Sequence, residues 1–211
     1  MQLITDRFVV EEGLDQRYEV LKELGDCHVS LGNWDRARQC YEEAAMLAPE
    51  RPGPAVGRGV IAIQTGRLAE AEQAFREALA IAPNCPEAHA GLAMVCQHAG
   101  RFAEAFEWYL KCLDRDPDNL AALLGLFQTS RQMGSFTKIT HYLNVYLDRH
   151  PGDVSVLFCL ATLQARDGRL PQAAETLERV LALGPASAEA SHLLQEVRRR
   201  MAETPAGGPV R

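Results

Sequence analysis

Thiols and imidazoles are the side chains most ready to do chemistry near neutral pH, and this chain of 211 residues carries six of each. The cysteines, Cys27, Cys40, Cys85, Cys96, Cys112 and Cys159, include no CxxC pair and no Cys/His cluster at the spacings zinc requires. No Cys/His pair sits among neighbours that mark a nucleophile site. Gly-rich phosphate loops, GxSxG and HExxH are absent as well. The chain is therefore expected not to be an enzyme, and no metal or cofactor is implied. Cys96 and Cys112 fall at places the chain's periodicity marks as buried, where a reduced thiol behaves as a small hydrophobe. His28 and His89 fall at packing places too.

Side chains that do not react can still bind, and charge narrows what they bind. With 22 Lys and Arg against 28 Asp and Glu, the net charge is -6, which argues against a nucleic-acid partner. The basic run Arg198-Arg199-Arg200 lies near the end of the last helical pattern, where cations answer the negative end of the helix dipole. Apolar stretches are interrupted well before the roughly 18 residues a membrane span needs, so no membrane insertion is expected. Asp6 and Arg7 interrupt the place where a secretory signal would need an apolar region, and a cytoplasmic location is expected.

The elements that must position any binding side chains come from a period. Pro49, Pro83, Pro117, Pro151 and Pro185 recur every 34 residues, and Gly32, Gly66, Gly100, Gly134 and Gly168 keep the same step. From Tyr18 the chain divides without insertion into five units: 18–51, 52–85, 86–119, 120–153 and 154–187. In the third, His89, Leu92, Ala93 and Cys96 share one helical face and Gly100 ends the helix, since a left-handed residue costs least without a side chain. Phe102, Ala105, Tyr109 and Cys112 repeat the pattern, and Pro117 blocks its continuation. Ala37, Ala71, Ala105 and Ala173 hold one place in the second helices, where a methyl group lets helix axes approach; only Ile139 departs.

Such pairs cannot bury their apolar faces singly and must stack. The expected fold is all-α, a solenoid of five antiparallel helix pairs. A lead-in over 1–17, with Phe8, Val9 and Val10 covering the open end, precedes them. A capping helix over 188–203 and a disordered tail over 204–211 follow.

Leu21, Leu24, Gly25 and His28, then Trp34, Ala37, Tyr41, Ala44 and Pro49, resemble the tetratricopeptide repeat, and the register holds over residues 18–187. The resemblance implies a right-handed superhelix whose first helices line a concave groove that takes a peptide or helix of another protein. Family members that hold the acidic tails of heat-shock chaperones use a clamp of Lys and Asn, then Asn, then Lys and Arg. Only Lys22 matches it here: Asp26, Gly57, Glu87 and Gly91 stand at the other places, so a chaperone-tail adaptor is not expected. The asparagine ladder of the repeat arm of protein O-GlcNAc transferase is missing too, its places being held by Glu23, Gly57, Gly91, Gly125 and Cys159.

The family's inward-facing places, carried onto this chain, give a graded groove. Glu19, Glu23 and Asp26 make one end acidic. Val56, Val60, Ile63, Ala90, Met94 and Leu124 make the middle apolar, with Gln128 beside them and Phe158 and Thr162 beyond. His98, Arg131 and Arg166 make the far end basic. Gly57, Gly91 and Gly125, each costing roughly 1 kcal/mol inside a helix, either form a hollow for a ligand or serve close helix contact. Arg58 replaces a leucine and is expected to extend its stem to water. Trp108, Leu110, Tyr142 and Val145 form an expected outer patch for self-association or a second partner. The function expected is a peptide-binding scaffold or adaptor; the alternative is a self-assembling, homo-oligomeric one.

Overall fold

The computed structural model describes residues 2–136 and 138–203, with side chains described from Gly13 onward. The side chains of the lead-in cluster Phe8, Val9 and Val10, and the whole of the tail 204–211, lie outside what is described. Eleven helices and no strand occur among the described residues: α1 (Gln2–Ser30), α2 (Trp34–Leu47), α3 (Gly53–Gln64), α4 (Leu68–Ile81), α5 (Pro86–His98), α6 (Phe102–Leu113), α7 (Leu120–Met133), α8 (Ile139–Arg149), α9 (Val154–Arg166), α10 (Leu170–Leu183) and α11 (Ala188–Glu203). The expected solenoid of helix pairs with a final capping helix is what the chain forms. The lead-in is helical and continuous with the first helix of the first repeat.

Each pair turns in the same way. Gly32, Gly66, Gly100, Gly134 and Gly168 all hold positive φ, between 68° and 76°. At Gly100 this lets Arg101 N–H reach back to the Cys96 carbonyl at 2.8 Å, tying off a helix end that would otherwise leave carbonyls bare. In four of the five pairs the second helix starts two residues after the glycine, and α8 starts five residues after Gly134, so each connection is short enough to make the two helices antiparallel neighbours.

The chain forms two compact units, divided after Gly125. In the first, α1 to α5 pack each on the next, and the first helices α1, α3 and α5 also touch one another in sequence. The alanines expected at the closest approach, Ala37, Ala71 and Ala105, are fully buried. Between them stand the rings Tyr41, Phe75 and Tyr109, at most 2% exposed. Burial of such a ring is worth about 1.5–3 kcal/mol. In the second unit, Leu157, Leu177 and Val180 form one core with Ala190, Leu194 and Val197 of α11.

Two expectations meet their answer in this packing. A Cβ on Gly57 would run into the Tyr41 ring, one on Gly91 into Phe75, and one on Gly125 into Tyr109. The glycines serve close helix contact, and the space is filled by the chain's own rings. Arg58 does not lead its guanidinium to water alone: Nη2 donates to Glu77 Oε1 at 2.6 Å, pairing α3 with α4. A half-buried cation gains more from a carboxylate in reach than from partial hydration.

Candidate functional site

The first helices of the first unit leave a hollow of about 440 Å³ on their solvent side. Its wall is apolar, made by Val29 of α1 and by Val56 and Val60 of α3. These valines stay half-buried because their helix spends its other faces on the core, where Ile61 and Ala62 are buried. Tyr18 and Tyr41 close the hollow from behind, and Gly53 and Gly57 bring the α3 backbone to its surface.

Charge is arranged around the rim. Arg51, after α2, reaches back to Glu19 at 2.7 Å and Asp15 at 3.2 Å, with its guanidinium 4.5 Å from the centre of the Tyr18 ring. Lys22 pairs with Asp26 at 2.9 Å, one helical turn on. The Tyr41 hydroxyl donates to Asp26 Oδ1 at 2.6 Å. Burial first, and then that bond to a carboxylate, holds the Tyr41 hydroxyl far above the ordinary tyrosine range. The hydrogen bond to Asp26 raises the Lys22 ammonium above its usual value, so the ammonium keeps its proton. Glu87, at the start of α5, completes the rim and accepts a bond from the Cys85 thiol at 3.1 Å. Burial pushes that thiol up to about 11, so it stays neutral.

Of the residues read as a groove, Val56 and Val60 line this hollow together with Glu19 and Asp26. Ile63 and Ala90 are half-buried and Met94 is 38% exposed, outside its lining. Glu23 and His98 are exposed on α1 and α5, and Leu124 is half-buried on α7. In the second unit, Gln128 and Arg131 are exposed on α7, while Phe158 and Thr162 are half-buried on α9. Thr162 Oγ1 donates to the Phe158 carbonyl at 2.8 Å. Arg166 is held by its own unit: its guanidinium lies 3.7 Å from the centre of the Phe136 ring, and Nη2 donates to the Gly134 carbonyl at 3.4 Å.

The outer-face expectation needs one correction. Leu110 is 7% exposed and belongs to the interior, because α6 buries a broad face running through Phe106, Tyr109, Leu110 and Leu113. Trp108 is half-buried, stacked on His89 with ring centres 5.7 Å apart and covered by the Lys111 ammonium at 3.9 Å. His89 is buried as expected, and burial, then Lys111, lowers its pKa. Tyr142 and Val145 are half-buried on α8.

The sequence reading missed Arg51 at the rim and Tyr18 behind the hollow, and Glu87 stood in it only as a departure from the chaperone clamp. A signal existed for Arg51: it closes the first unit among acidic α1 residues, although its partners lie 32 and 36 positions away. Among the described residues no group of three His, Cys, Asp or Glu could hold a metal ion, and no helix is long and apolar enough to cross a membrane.

A family model described as tetratricopeptide repeat matches residues 22–86, 57–119 and 141–199, well over half of the chain. No curated protein matches it in sequence. Among solved structures, Pseudomonas aeruginosa pilF is similar with a TM-score of 0.75 at 18% identity, over 90% of this chain and 87% of that one. PilW, a widely conserved type IV pilus biogenesis factor, gives 0.68 at 20% identity over 88% and 86%. YrrB, a repeat protein of this type with an unusual peptide-binding site, gives 0.63 at 15% identity over 83% and 90%. Identities this low make the likeness one of fold.

Proposed function

The chain belongs to the tetratricopeptide repeat family, and from that premise we propose that it is a non-catalytic scaffold holding a segment of another protein against the solvent side of its first helices. The observation that supports this is the row of large apolar side chains left only partly covered there. Val56, Val60 and Ile63 are half-buried beside an open hollow, and Met94 is 38% exposed on the next first helix. Soluble proteins seldom leave apolar groups converging on one concave surface without a partner to cover them.

The test is capture from extract of the native cell by the wild type and by a Val60→Glu, Met94→Glu, Leu124→Glu variant of unchanged helicity. Recovery of bound protein is expected to fall at least tenfold. Equal recovery would refute the reading.

One observation favours a second reading, self-association. Leu24 is 44% exposed, although leucines at the same place in later units, Leu92, Leu126 and Leu160, are at most 9% exposed. Val20, 62% exposed, continues its stripe along α1, and Leu31, 72% exposed, follows in the turn just past the helix end. Light scattering across a concentration series decides between the two: a mass that rises toward multiples of the chain supports self-assembly, and a constant single-chain mass supports the adaptor.

A further inference from the structure

We propose that the hollow lined by α1, α3 and the start of α5 selects a partner segment that couples an apolar side chain to a lysine or arginine, and that it turns away acidic segments. The inference rests on the reading that this face takes a partner segment, and it adds the chemistry of that segment.

Two features of the hollow carry it. The first is the valine wall, Val29, Val56 and Val60, which asks for an aliphatic group and offers it no polar partner. The second is a charge left over at the rim. Glu19 is met by Arg51 at 2.7 Å, and Asp26 by Lys22 at 2.9 Å, so these carboxylates are answered within the chain. Glu87 is not answered in this way. Its partner is the neutral Cys85 thiol at 3.1 Å, and no lysine or arginine pairs with it among the described residues.

A carboxylate facing an apolar wall is best complemented by a side chain that has both properties. The aliphatic stem of lysine or arginine can lie along valines while its head reaches the carboxylate. The same geometry penalises an acidic segment, which would bring like charge against Glu87 and lose its own hydration against the valines. The preference is thus opposite in sign to that of repeats whose clamps hold a carboxylate tail, because Glu87 stands where such a clamp has a lysine.

The probes are capped, fluorescein-labelled octapeptides: Gly-Ser-Leu-Lys-Val-Lys-Ser-Gly, and counterparts with Gln or Glu in both lysine places. Binding is read by anisotropy against the full chain, Glu87→Gln and Val60→Glu, each verified as folded by circular dichroism. The lysine peptide is expected to bind at least tenfold tighter than the glutamate one. Glu87→Gln should erase most of that difference, and Val60→Glu should weaken the lysine peptide at least tenfold. Equal binding of the lysine and glutamate peptides, an unchanged difference in Glu87→Gln, or no binding of any peptide at millimolar concentration overturns the inference. If charge is indifferent while Val60→Glu still abolishes binding, only the inference falls. If Val60→Glu leaves peptide binding intact, the groove reading falls with it.

Discussion

Burial governs the chemistry of the thiols one residue at a time. Cys27 is exposed, and the other five are buried. Burial pushes Cys85 and Cys159 up to about 11 and Cys112 up to about 12, Asp153 and Asp116 adding to the last two. A thiol in this condition keeps its proton when an unfolded one, with a pKa of about 8.5, has lost it. The folded chain then binds more protons than the unfolded chain, and stability falls as pH rises. The contribution is whole below about pH 8.5 and is lost as pH climbs through the folded values, at up to about 1.4 kcal/mol per pH unit for each thiol. The urea midpoint should therefore decline from pH 9 to 11, and more shallowly in Cys112→Ala than in the parent; identical slopes would show that Cys112 contributes nothing. The thiolate is also the nucleophile, so iodoacetamide at pH 8 should leave one adduct per native chain, on Cys27, when followed by mass spectrometry. Further adducts before denaturation would show that the buried thiols are reached from the native state.

At the scale of the element, the unit of construction is a ring held between two helix backbones. Tyr41 lies against Gly25 of its own unit and Gly57 of the next, where a Cβ on Gly25 would stand 2.6 Å from the ring; Phe75 lies likewise between Gly59 and Gly91. Where leucine, Leu143, takes the ring's place, the glycine's place sixteen residues on is taken by Cys159. Gly91→Ala should then cost about 2 kcal/mol, because the 1% exposed Phe75 has nowhere to retreat. Combined with Phe75→Leu, the same change should cost close to nothing, since alanine recovers roughly 1 kcal/mol of helix propensity once the ring is gone. Urea titration of the two single variants and the double variant measures that coupling, and additive costs would rule out the clamp. This pairing also marks the limit of what could be read from the chain. Helix ends were legible because Gly100 and Pro117 act through their own backbone. The purpose of Gly91 was not, because the ring it serves belongs to another unit, and Arg58 was misread because Glu77 answers it from 19 positions away. Val56 and Val60 could be placed on a first helix by register alone, whereas the rim depends on Arg51 folding back upon α1.

Across the whole molecule, stability is a sum of neighbour contacts, and the last helix shows the consequence. α11 packs on α10 and α9, contributing Ala190, Leu194 and Val197 to the core built on Leu157, Leu177 and Val180. Its outward side is charged: Arg199 lies 2.8 Å from Glu196 and 3.0 Å from Glu203, and Arg198 lies 2.8 Å from Glu178. Such exposed pairs add little stability, at most about 1 kcal/mol each, but they make a face that needs no further helix to cover it. The apolar residues are another matter. Val197 is fully buried, so an aspartate there would place a charge in the apolar core. Val197→Asp should cost about 3 kcal/mol or more, and α11 should come away from α10 and α9, baring their core. Because each helix draws its support from its neighbours in the stack, the cost should stay near that end. Hydrogen exchange followed by mass spectrometry should show lost protection over 154–203 with protection over α3 to α5 retained. Uniform loss along the chain would mean that the repeats stand or fall as one cooperative body, and that a neighbour-by-neighbour account of this protein is wrong.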